Sequence, residues 1–419
     1  MVTGPAMRAL LTGVGTRGDV QPVLALALEL QNLGHTVRLC LSPNFVDWAK
    51  DLKFDAVPMG VVMRLPSKGG VAPLTPEELK RLRESVPDPI TDQFETVGAA
   101  AADCDVILGA NAHQYAAPSI AELAGIPCVT AIYAPVAVPS TNLPPPPPPR
   151  QVAHPAIPLS IEQQWRNTES SRNERALDRI NKNRARLGMK PIRDVLAYVL
   201  ADHTWLAADA SLAPMPATPA REVLQTGTWV LADDRPLPAG VKAFLERGEP
   251  PIFVGFGSMP VSADVSHVLV AAARTTGRRL IISRGWAELE LADRGSDCIV
   301  VGDISHDLLF PRVAAVVHHG GVGTTATAAR AGVPQIITPM FGDQFYWSSR
   351  ITELGVGTTT AHATLTRDSL TRALSEVLDS AIVERARNFA GRVGVDGAKV
   401  AARELVAVAR ASSGGSGSH

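Results

Sequence analysis

The stretch His318-His-Gly-Gly-Val-Gly-Thr-Thr325 lies between an apolar run that ends at His318 and an alanine-rich segment. Its glycines allow the backbone to approach a ligand closely, and the two threonines open a helix whose free N–H groups and dipole attract an anion. An imidazole in front of the loop adds a hydrogen-bond donor. The pattern predicts a strand, a diphosphate-binding loop and a helix. The alternative is a tight turn with a helix cap and one buried histidine.

Two further polar loops follow predicted strands of the same half. Ser258 comes after the strand Ile252–Gly255, and Asp343 and Gln344 come after the strand Gln335–Thr338. The carboxyl ends of parallel strands meet at one edge of a sheet, where ligands bind in open α/β folds. Asp343 and Gln344 carry atoms suited to sugar hydroxyls, although Asp343 could also cap the next helix. We therefore expect one pocket for a diphosphate-linked sugar.

The same architecture is predicted twice along the chain. Met7–Thr12 is a strand, Val20–Leu33 has helical spacing, and Thr36–Leu41 is a second strand, which requires a right-handed crossover and a parallel sheet. Each half is thus expected to be a doubly wound α/β domain. The further predicted strands are Val106–Leu108, Cys128–Ile132, Arg279–Ser283, Cys298–Val301 and Ala314–His318.

Proline-dense segments separate the two halves, at Pro214–Pro219 and Asp233–Pro238. Such segments suit a linker rather than the interior of a helix or strand. We predict an N-terminal domain over residues 1–216 and a C-terminal domain with a terminal helix over residues 217–411. The Ser- and Gly-rich residues 412–419 are typical of a linker and tag remnant.

Composition restricts the function classes. The chain has 419 residues, 46% of them hydrophobic, which suffices for two buried cores. Lys and Arg number 40 against 41 Asp and Glu, so no excess of positive charge favours nucleic acid, and the expected partner is a small molecule. No apolar stretch approaches the ~18 residues of a membrane helix and no secretion signal is evident. We expect a cytoplasmic protein without stable membrane insertion. The cysteines, which lack any CxxC pair, are expected to be reduced: Cys40, Cys104, Cys128 and Cys298.

Three motifs together carry a family resemblance: His318–Thr325, Phe341-Gly-Asp-Gln344 and Gly15-Thr-Arg-Gly-Asp-Val-Gln-Pro22. The chain resembles family 1 glycosyltransferases of the GT-B fold, in particular the bacterial natural-product transferases of vancomycin-type glycopeptides and the sterol glucosyltransferases. The resemblance runs from about Met7 to about Arg403. It implies two Rossmann-like domains that face each other across a cleft, with the nucleotide sugar in the C-terminal half and the acceptor in the N-terminal half.

The resemblance also implies roles for individual residues. The base would be recognised by the backbone around Gly302 and Ile304, because Val301 takes the place of a tryptophan that stacks on the base in plant relatives. This leaves the choice between UDP and TDP open. The acceptor would contact His113, Tyr133 and Phe341. The predicted donor-binding residues are Arg17, Ser258, Gly302, Ile304, His319, Gly320, Gly321, Gly323, Thr324, Asp343 and Gln344.

Asp19 is the predicted catalytic residue. It follows the first strand, where the vancomycin-type relatives carry an aspartate. A hydroxyl that attacks the anomeric carbon needs a proton acceptor on the face opposite the leaving diphosphate, and a carboxylate at the cleft can serve. The resemblance thus implies an inverting transfer to a hydroxyl of a small, largely apolar acceptor. Asp19 also stands in a good helix-capping position, and both roles can coexist.

Two sequence signals favour other chemistry. Gly13-Val-Gly-Thr-Arg-Gly18 matches the dinucleotide pattern, but no acidic residue ends the strand Thr36–Leu41 to bind a ribose. Asp103 and Asp105 imitate a metal-binding DxD motif between a helix and a buried strand. We expect neither a metal nor a cofactor. A non-catalytic nucleotide-sugar sensor on the same scaffold is an alternative. The proline run Pro144–Pro149 is expected to form a stiff surface connection, with a wall of the ligand site or a docking strip for a partner as alternatives.

Overall fold

The structure is a computed structural model, and it describes residues 5–62, 77, 88–111, 113–147, 159–200, 202–217, 221–259, 261–262, 264–286, 288–291 and 295–414. It contains two parallel sheets, each flanked by helices. The prediction of two doubly wound α/β domains is therefore confirmed. The end of the proline run, Pro148 and Pro149, lies outside the described residues.

The N-terminal sheet has seven parallel strands in the order β3-β2-β1-β4-β5-β6-β7. The strands are β1 (Arg8–Gly13), β2 (Thr36–Leu41), β3 (Asp55–Pro58), β4 (Val106–Ala110), β5 (Cys128–Ile132), β6 (His203–Leu206) and β7 (Val223–Gln225). The helices are α1 (Arg17–Asn32), α2 (Val46–Asp51), α3 (Pro89–Ala100), α4 (Ala117–Ala124), α5 (Ile161–Arg186) and α6 (Val195–Val199). The strand order reverses between β1 and β4, which opens a crevice at the carboxyl ends of these two strands.

The C-terminal sheet has six parallel strands in the order β10-β9-β8-β11-β12-β13. The strands are β8 (Ile252–Gly255), β9 (Leu280–Ser283), β10 (Cys298–Val301), β11 (Ala315–His318), β12 (Gln335–Ile337) and β13 (Gly357–Thr359). The helices are α7 (Ala239–Glu246), α8 (Val265–Thr275), α9 (His306–Leu309), α10 (Val322–Arg330), α11 (Gln344–Glu353), α12 (Arg367–Val377), α13 (Ser380–Ala390) and α14 (Gly397–Gly414). Here the order reverses between β8 and β11.

The chain crosses between the two sheets at a later point than residue 216. β7 lies beyond that boundary, yet it is the last strand of the N-terminal sheet. The chain also crosses back, because α14 packs against α1 of the first domain. The side chains that α14 buries are mostly small and aliphatic: Ala401, Ala402, Leu405, Val406 and Ala409. The C-terminal helix therefore belongs by its packing to the N-terminal domain.

Helix α1 begins earlier than its apolar periodicity predicts. Thr16 is the N-cap, with extended backbone, and the helix starts at Arg17 rather than at Val20. All its Val and Leu side chains except Leu28 are buried, because the helix packs against both the sheet and α14. Asp19 therefore lies inside the first helical turn and not in front of the helix.

The four cysteines are free thiols, and Cys128 alone among them is only half-buried. In the part of the chain that the structure describes, no helix is both long enough and apolar enough to cross a membrane.

Candidate active site

The candidate site is formed where the two strand orders reverse. Asp19 follows β1 in the N-terminal domain, and Asn111 follows β4, its neighbour across the crevice. In the C-terminal domain, Ser258 follows β8 and His319 follows β11. The topology thus brings the residues predicted from separate motifs to one edge of each sheet.

Three hydrogen bonds hold the carboxylate of Asp19. Its Oδ2 accepts from the backbone N–H of Thr16 at 2.8 Å and from the hydroxyl of Thr16 at 3.3 Å. Its Oδ1 accepts from Nδ2 of Asn111 at 3.0 Å. Burial raises the pKa of Asp19 above its ordinary value, and the three hydrogen bonds oppose that rise because they favour the charged form.

Asp19 contributes to the cap of α1 and keeps one lone pair of its carboxylate without a hydrogen bond among the described residues. It is the third residue of α1 and forms a capping box with Thr16, rather than being the N-cap itself. A carboxylate has about four lone-pair positions, and the Asp19 carboxylate uses three of them to accept these hydrogen bonds. One position on Oδ1 is left to accept a proton.

Tyr133 contacts the backbone of Asp19. Its hydroxyl donates to the backbone oxygen of Asp19 at 3.0 Å, and its buried ring packs edge-on against Trp229 at 6.3 Å. Burial raises the pKa of the Tyr133 phenol well above its ordinary value, so the phenol stays protonated. The hydroxyl of Tyr133, a predicted acceptor residue, is therefore already engaged by the backbone of α1.

The two adjacent histidines have different surroundings. His318 is fully buried, its Nε2 lies 2.9 Å from Oε1 of Gln335, and its Nδ1 accepts from the N–H of Gly320 at 3.1 Å. This arrangement requires the proton on Nε2. Burial lowers the pKa of His318 to about 3. His318 therefore holds the loop in shape and presents no free nitrogen.

His319 is half-buried and packs between two glycines. A Cβ on Gly257 would lie 3.2 Å from its Cε1, and a Cβ on Gly321 would lie 2.7 Å from its Nε2. Its Nδ1 is buried without a hydrogen-bond partner among the described residues. Burial lowers the pKa of His319 to about 4, so the ring is neutral at physiological pH. This imidazole has hydrogen-bonding capacity that the protein itself does not use.

The loop after His319 ends in an open helix terminus. Gly320 has a φ of 95°, a left-handed conformation that favours glycine, and Gly321 is the N-cap of α10 without a side-chain cap hydrogen bond. The first intrahelical bond runs from the N–H of Thr325 to the oxygen of Gly321. Gly323 is exposed and Thr324 is half-buried. The N–H groups of this first turn therefore have no partner within the helix.

Asp343 and Gln344 behave differently from each other. Oδ2 of Asp343 accepts from the indole Nε1 of Trp347 at 3.0 Å. Burial, together with the nearby charge of Asp19, raises the pKa of Asp343 to about 6. The side chain of Gln344 points inward instead, where its Oε1 accepts from the N–H of Met340 at 2.8 Å. Gln344 thus stabilises the loop through this hydrogen bond. Of the two residues, Asp343 is the one near Asp19 of the other domain.

Arg17 reaches across to the C-terminal domain. Its Nη1 lies 2.6 Å from Oδ1 of Asp303, and its guanidinium lies 5.0 Å from the ring centre of Trp48. Gly302, beside Asp303, is exposed, whereas Ile304 is buried. Arg17 is therefore ion-paired within the stretch predicted to bind the base.

The remaining predicted acceptor residues lie at the surface. His113, after β4, is exposed and its ring stands edge-on to Tyr115 at 6.3 Å. Phe341 is 44% exposed, as is its neighbour on the next turn, Phe345, at 41%. Two bare aromatic rings thus stand beside the loop that carries Asp343.

Two features are unrelated to this site. Asp105 accepts from the backbone N–H of Arg8 at 2.7 Å, and Asp103 lies 3.7 Å from its guanidinium, so the apparent DxD motif anchors the start of β1. A surface groove of about 630 Å³ is lined by Cys128 and His203, the first residues of β5 and β6. It therefore lies at the amino ends of the strands, away from Asp19.

Sequence reasoning missed the partners of the site residues. Asn111, Trp347 and Asp303 are each polar or amphipathic side chains that touch a predicted residue. Asn111 had a detectable signal, because it comes three residues after the end of the predicted strand Val106–Leu108. Trp347 also had one, because it lies one helical turn after Asp343. Asp303 had none, since its contact with Arg17 joins residues 286 positions apart.

Two family models match the chain. One, described as the glycosyltransferase family 28 N-terminal domain, matches residues 9–141. The other, described as the C-terminal domain of erythromycin biosynthesis protein CIII-like proteins, matches residues 291–395. The first covers the Asp19 loop and the second covers the His319 and Asp343 loops.

Relatives of known name match nearly the whole chain. It is 41% identical to the vancomycin aglycone glucosyltransferase of Amycolatopsis orientalis, over 96% of this chain and 97% of that protein. It is 37% identical to the dTDP-epi-vancosaminyltransferase of the same organism, over 91% of this chain and 92% of that protein. It is 29% identical to a sterol 3-beta-glucosyltransferase of Arabidopsis thaliana, over 84% of this chain and 60% of that protein.

Solved structures share its fold. The glycotransferase of kitacinnamycin has a TM-score of 0.71 at 18% identity and covers 97% of this chain and 99% of its own. The glycosyltransferase VinC, in complex with dTDP, has a TM-score of 0.62 at 20% identity and covers 97% of this chain and 100% of its own. These likenesses confirm the GT-B architecture. The chain belongs to the family of natural-product glycosyltransferases that includes the vancomycin aglycone glucosyltransferase.

Proposed function

We propose that this glycosyltransferase moves a sugar from a UDP- or TDP-sugar to a hydroxyl of a small, largely apolar natural product, with inversion at the anomeric carbon and without a metal ion. The observation that carries the proposal is the position of two complementary groups on opposite domains. Asp19 keeps a free lone pair in the first domain, and the second domain presents an open helix terminus beside a neutral imidazole with an unused nitrogen.

The donor diphosphate fits the start of α10. The N–H groups of its first turn have no partner among the described residues. Together with the positive end of the helix dipole, they attract a phosphate without any cation. His319 adds a neutral hydrogen bond, since its low pKa of about 4 keeps the ring uncharged. These groups support a leaving diphosphate whose negative charge is stabilised by the protein itself.

The identity of the donor nucleotide is inferred from relatives of the chain. The dTDP in the name of one relative and in the VinC complex belongs to those proteins, and here it supports a thymidine or uridine diphosphate as donor. The exposed backbone at Gly302 offers the base a polar edge.

The chemical step follows from the free lone pair of Asp19. The acceptor oxygen forms a bond to the anomeric carbon while the bond from that carbon to the diphosphate oxygen breaks, and the hydroxyl proton passes to Asp19 Oδ1. A single displacement of this kind inverts the anomeric centre. We assign sugar contact to the Asp343 carboxyl, and its hydrogen bond from Trp347 and its proximity to Asp19 support this role.

The acceptor class rests on the apolar surface beside the site. The exposed rings of Phe341 and Phe345 offer a large aglycone a stacking surface next to the sugar loop. A vancomycin aglycone, the acceptor in the name of one relative, is therefore a reasonable first probe.

The test uses protein dialysed against EDTA and supplied with UDP-glucose or TDP-glucose and vancomycin aglycone, followed by a panel of other hydroxylated aglycones. We expect release of the nucleoside diphosphate and, from an α-linked donor, a β-linked product by proton NMR coupling constants. Asp19→Asn should bind the donor normally but lose about 10²- to 10⁴-fold in kcat. Retained configuration, a metal requirement, or an Asp19→Asn enzyme of wild-type kcat would each contradict the mechanism. Donor binding without turnover across the panel would favour a sensor instead.

A further inference from the structure

We propose that Asn111 is a positioning residue that aims the Asp19 carboxylate and keeps it in its charged, proton-accepting form. This inference rests on the proposed function, because it assigns a second residue to the same proton transfer. It starts from the hydrogen bonds of one side chain and from the backbone conformation that presents it.

The amide of Asn111 has only one possible orientation. Its Nδ2 donates to the backbone oxygen of Val14 at 2.9 Å and to Oδ1 of Asp19 at 3.0 Å. Its Oδ1 accepts from the backbone N–H of His113 at 3.0 Å. A carbonyl needs a donor and an N–H needs an acceptor, so exchange of the amide O and N would break all three bonds at once. The donor group therefore always faces Asp19.

The backbone of Asn111 is arranged for this contact. Its φ is 68°, a left-handed conformation that asparagine tolerates better than most residues other than glycine. Its N–H donates to the oxygen of Ala131 at 2.7 Å, which extends the ladder between β4 and β5 by one residue. The side chain is thus mounted on a rigid strand end and spans the crevice to the β1 loop through Val14. These contacts fix the side chain at both ends.

The contact has a chemical consequence for the base. Asp19 is half-buried, which disfavours its charge, and a donor to Oδ1 offsets that effect. The bond also leaves the second lone pair of Oδ1 pointing in a defined direction. The titratable groups that face Asp19 are Asp343 from the start of α11 and Tyr133 from the end of β5. Arg17, on the helix of Asp19, is paired with Asp303, and His113 lies in the loop that Asn111 begins.

The test measures the pH dependence of kcat for wild type, Asn111→Gly and Asn111→Asp, with TDP-glucose and vancomycin aglycone or the best pair found above. Asn111→Gly removes the amide but accommodates the positive φ without strain. We expect its kcat to fall about tenfold or more, and its acidic limb to move to higher pH by about one unit, which is about tenfold in proton affinity. Asn111→Asp places a second carboxylate beside Asp19, so the acidic limb of the kcat profile of this variant should move further to higher pH.

Further measurements make the result decisive. Asn111→Gly in the Asp19→Asn background should cause little additional loss, because the two residues act as a unit. The shift of the acidic limb caused by Asn111→Gly should also occur in the Asp343→Asn background. Its persistence there would assign the limb to Asp19, because Asp343 no longer titrates. A kcat that falls equally at all pH values, with the acidic limb in place, would overturn the inference and leave Asn111 a purely structural residue. Wild-type kcat in Asp19→Asn would instead refute the proposed function itself, so the two failures are distinguishable.

Discussion

The neighbouring histidines show how one sequence motif divides into two tasks. His318 has both nitrogens engaged and is fully buried, whereas the Nδ1 of His319 has no partner among the described residues. The motif identifies a phosphate loop but does not say which imidazole serves it. Side-chain direction decides this, because successive residues at a strand end point to opposite sides.

We predict that His319→Ala weakens donor binding while His318→Ala mainly weakens the fold. Loss of a hydrogen bond to a charged phosphate costs about 1.5–3 kcal/mol, or about 10- to 100-fold in Kd. His318→Ala leaves the buried N–H of Gly320 and the oxygen of Gln335 unpaired, at about 1–3 kcal/mol each in the free energy of unfolding. Calorimetric titration with TDP and UDP, beside denaturant unfolding, separates the effects. Normal TDP and UDP affinity in a folded His319→Ala protein would contradict the assignment.

At the scale of elements, the loop from β1 to α1 is built around Asp19. Gly15 has a φ of 142°, and a Cβ there would lie 2.2 Å from Oδ2 of Asp19. Its N–H donates to the hydroxyl of Ser42 at 2.7 Å, which ties the loop to the end of β2. The absence of a side chain at Gly15 thus provides the space that the carboxylate occupies.

Gly15→Ala should therefore impair catalysis beyond its effect on stability. The matched control is Gly34→Ala, since Gly34 follows α1 with a φ of 84° and has no atom within 4 Å of a built Cβ. Both variants carry backbone strain of about 1–3 kcal/mol, but only the first displaces the Asp19 carboxylate. A misplacement of about 1 Å can cost about 100-fold in rate. We expect that loss in kcat for Gly15→Ala and near-wild-type kcat for Gly34→Ala. Equal kcat values would exclude the steric contact.

At the scale of the molecule, the two domains are joined where the chain passes between them twice. Gly227, just after β7, meets Gly397 at the start of α14, and a Cβ on Gly397 would lie 2.5 Å from backbone atoms of Gly227 and Thr228. Nearby, Nε of Arg350 donates to the oxygen of Leu212 at 3.0 Å. The two crossings therefore pack backbone against backbone, without room for a side chain.

Gly397→Ala is expected to destabilise the whole protein. The added methyl group must push the two crossings apart, and such overpacking typically costs about 1–3 kcal/mol. Gly391→Ala is the control, because Gly391 has a negative φ and no neighbour within 4 Å of a built Cβ. Urea unfolding should show a lower midpoint for Gly397→Ala and little change for Gly391→Ala. Equal urea midpoints for the two variants would mean that the two chain crossings accommodate the added methyl group without strain.

The sequence by itself determined the two doubly wound domains, the phosphate loop and the position of Asp19 near a helix start. These features are local, since apolar periodicity, glycine conformation and helix-terminus chemistry act over a few neighbouring residues. The residue-216 boundary was drawn from proline content, which does not report that β7 joins the first sheet or that α14 returns to it.

Only the tertiary structure decided which side chains complete the site. Asn111 reaches Asp19 from 92 positions away, and Arg17 meets Asp303 from 286 positions away. Gln344 and Tyr133 have side chains that suit a ligand, but their hydrogen-bonding atoms are already used within the protein. Such contacts arise from the order in which strands assemble and from the docking of one domain on the other. No pattern of neighbouring residues encodes them, because the partners become neighbours only after the chain has folded.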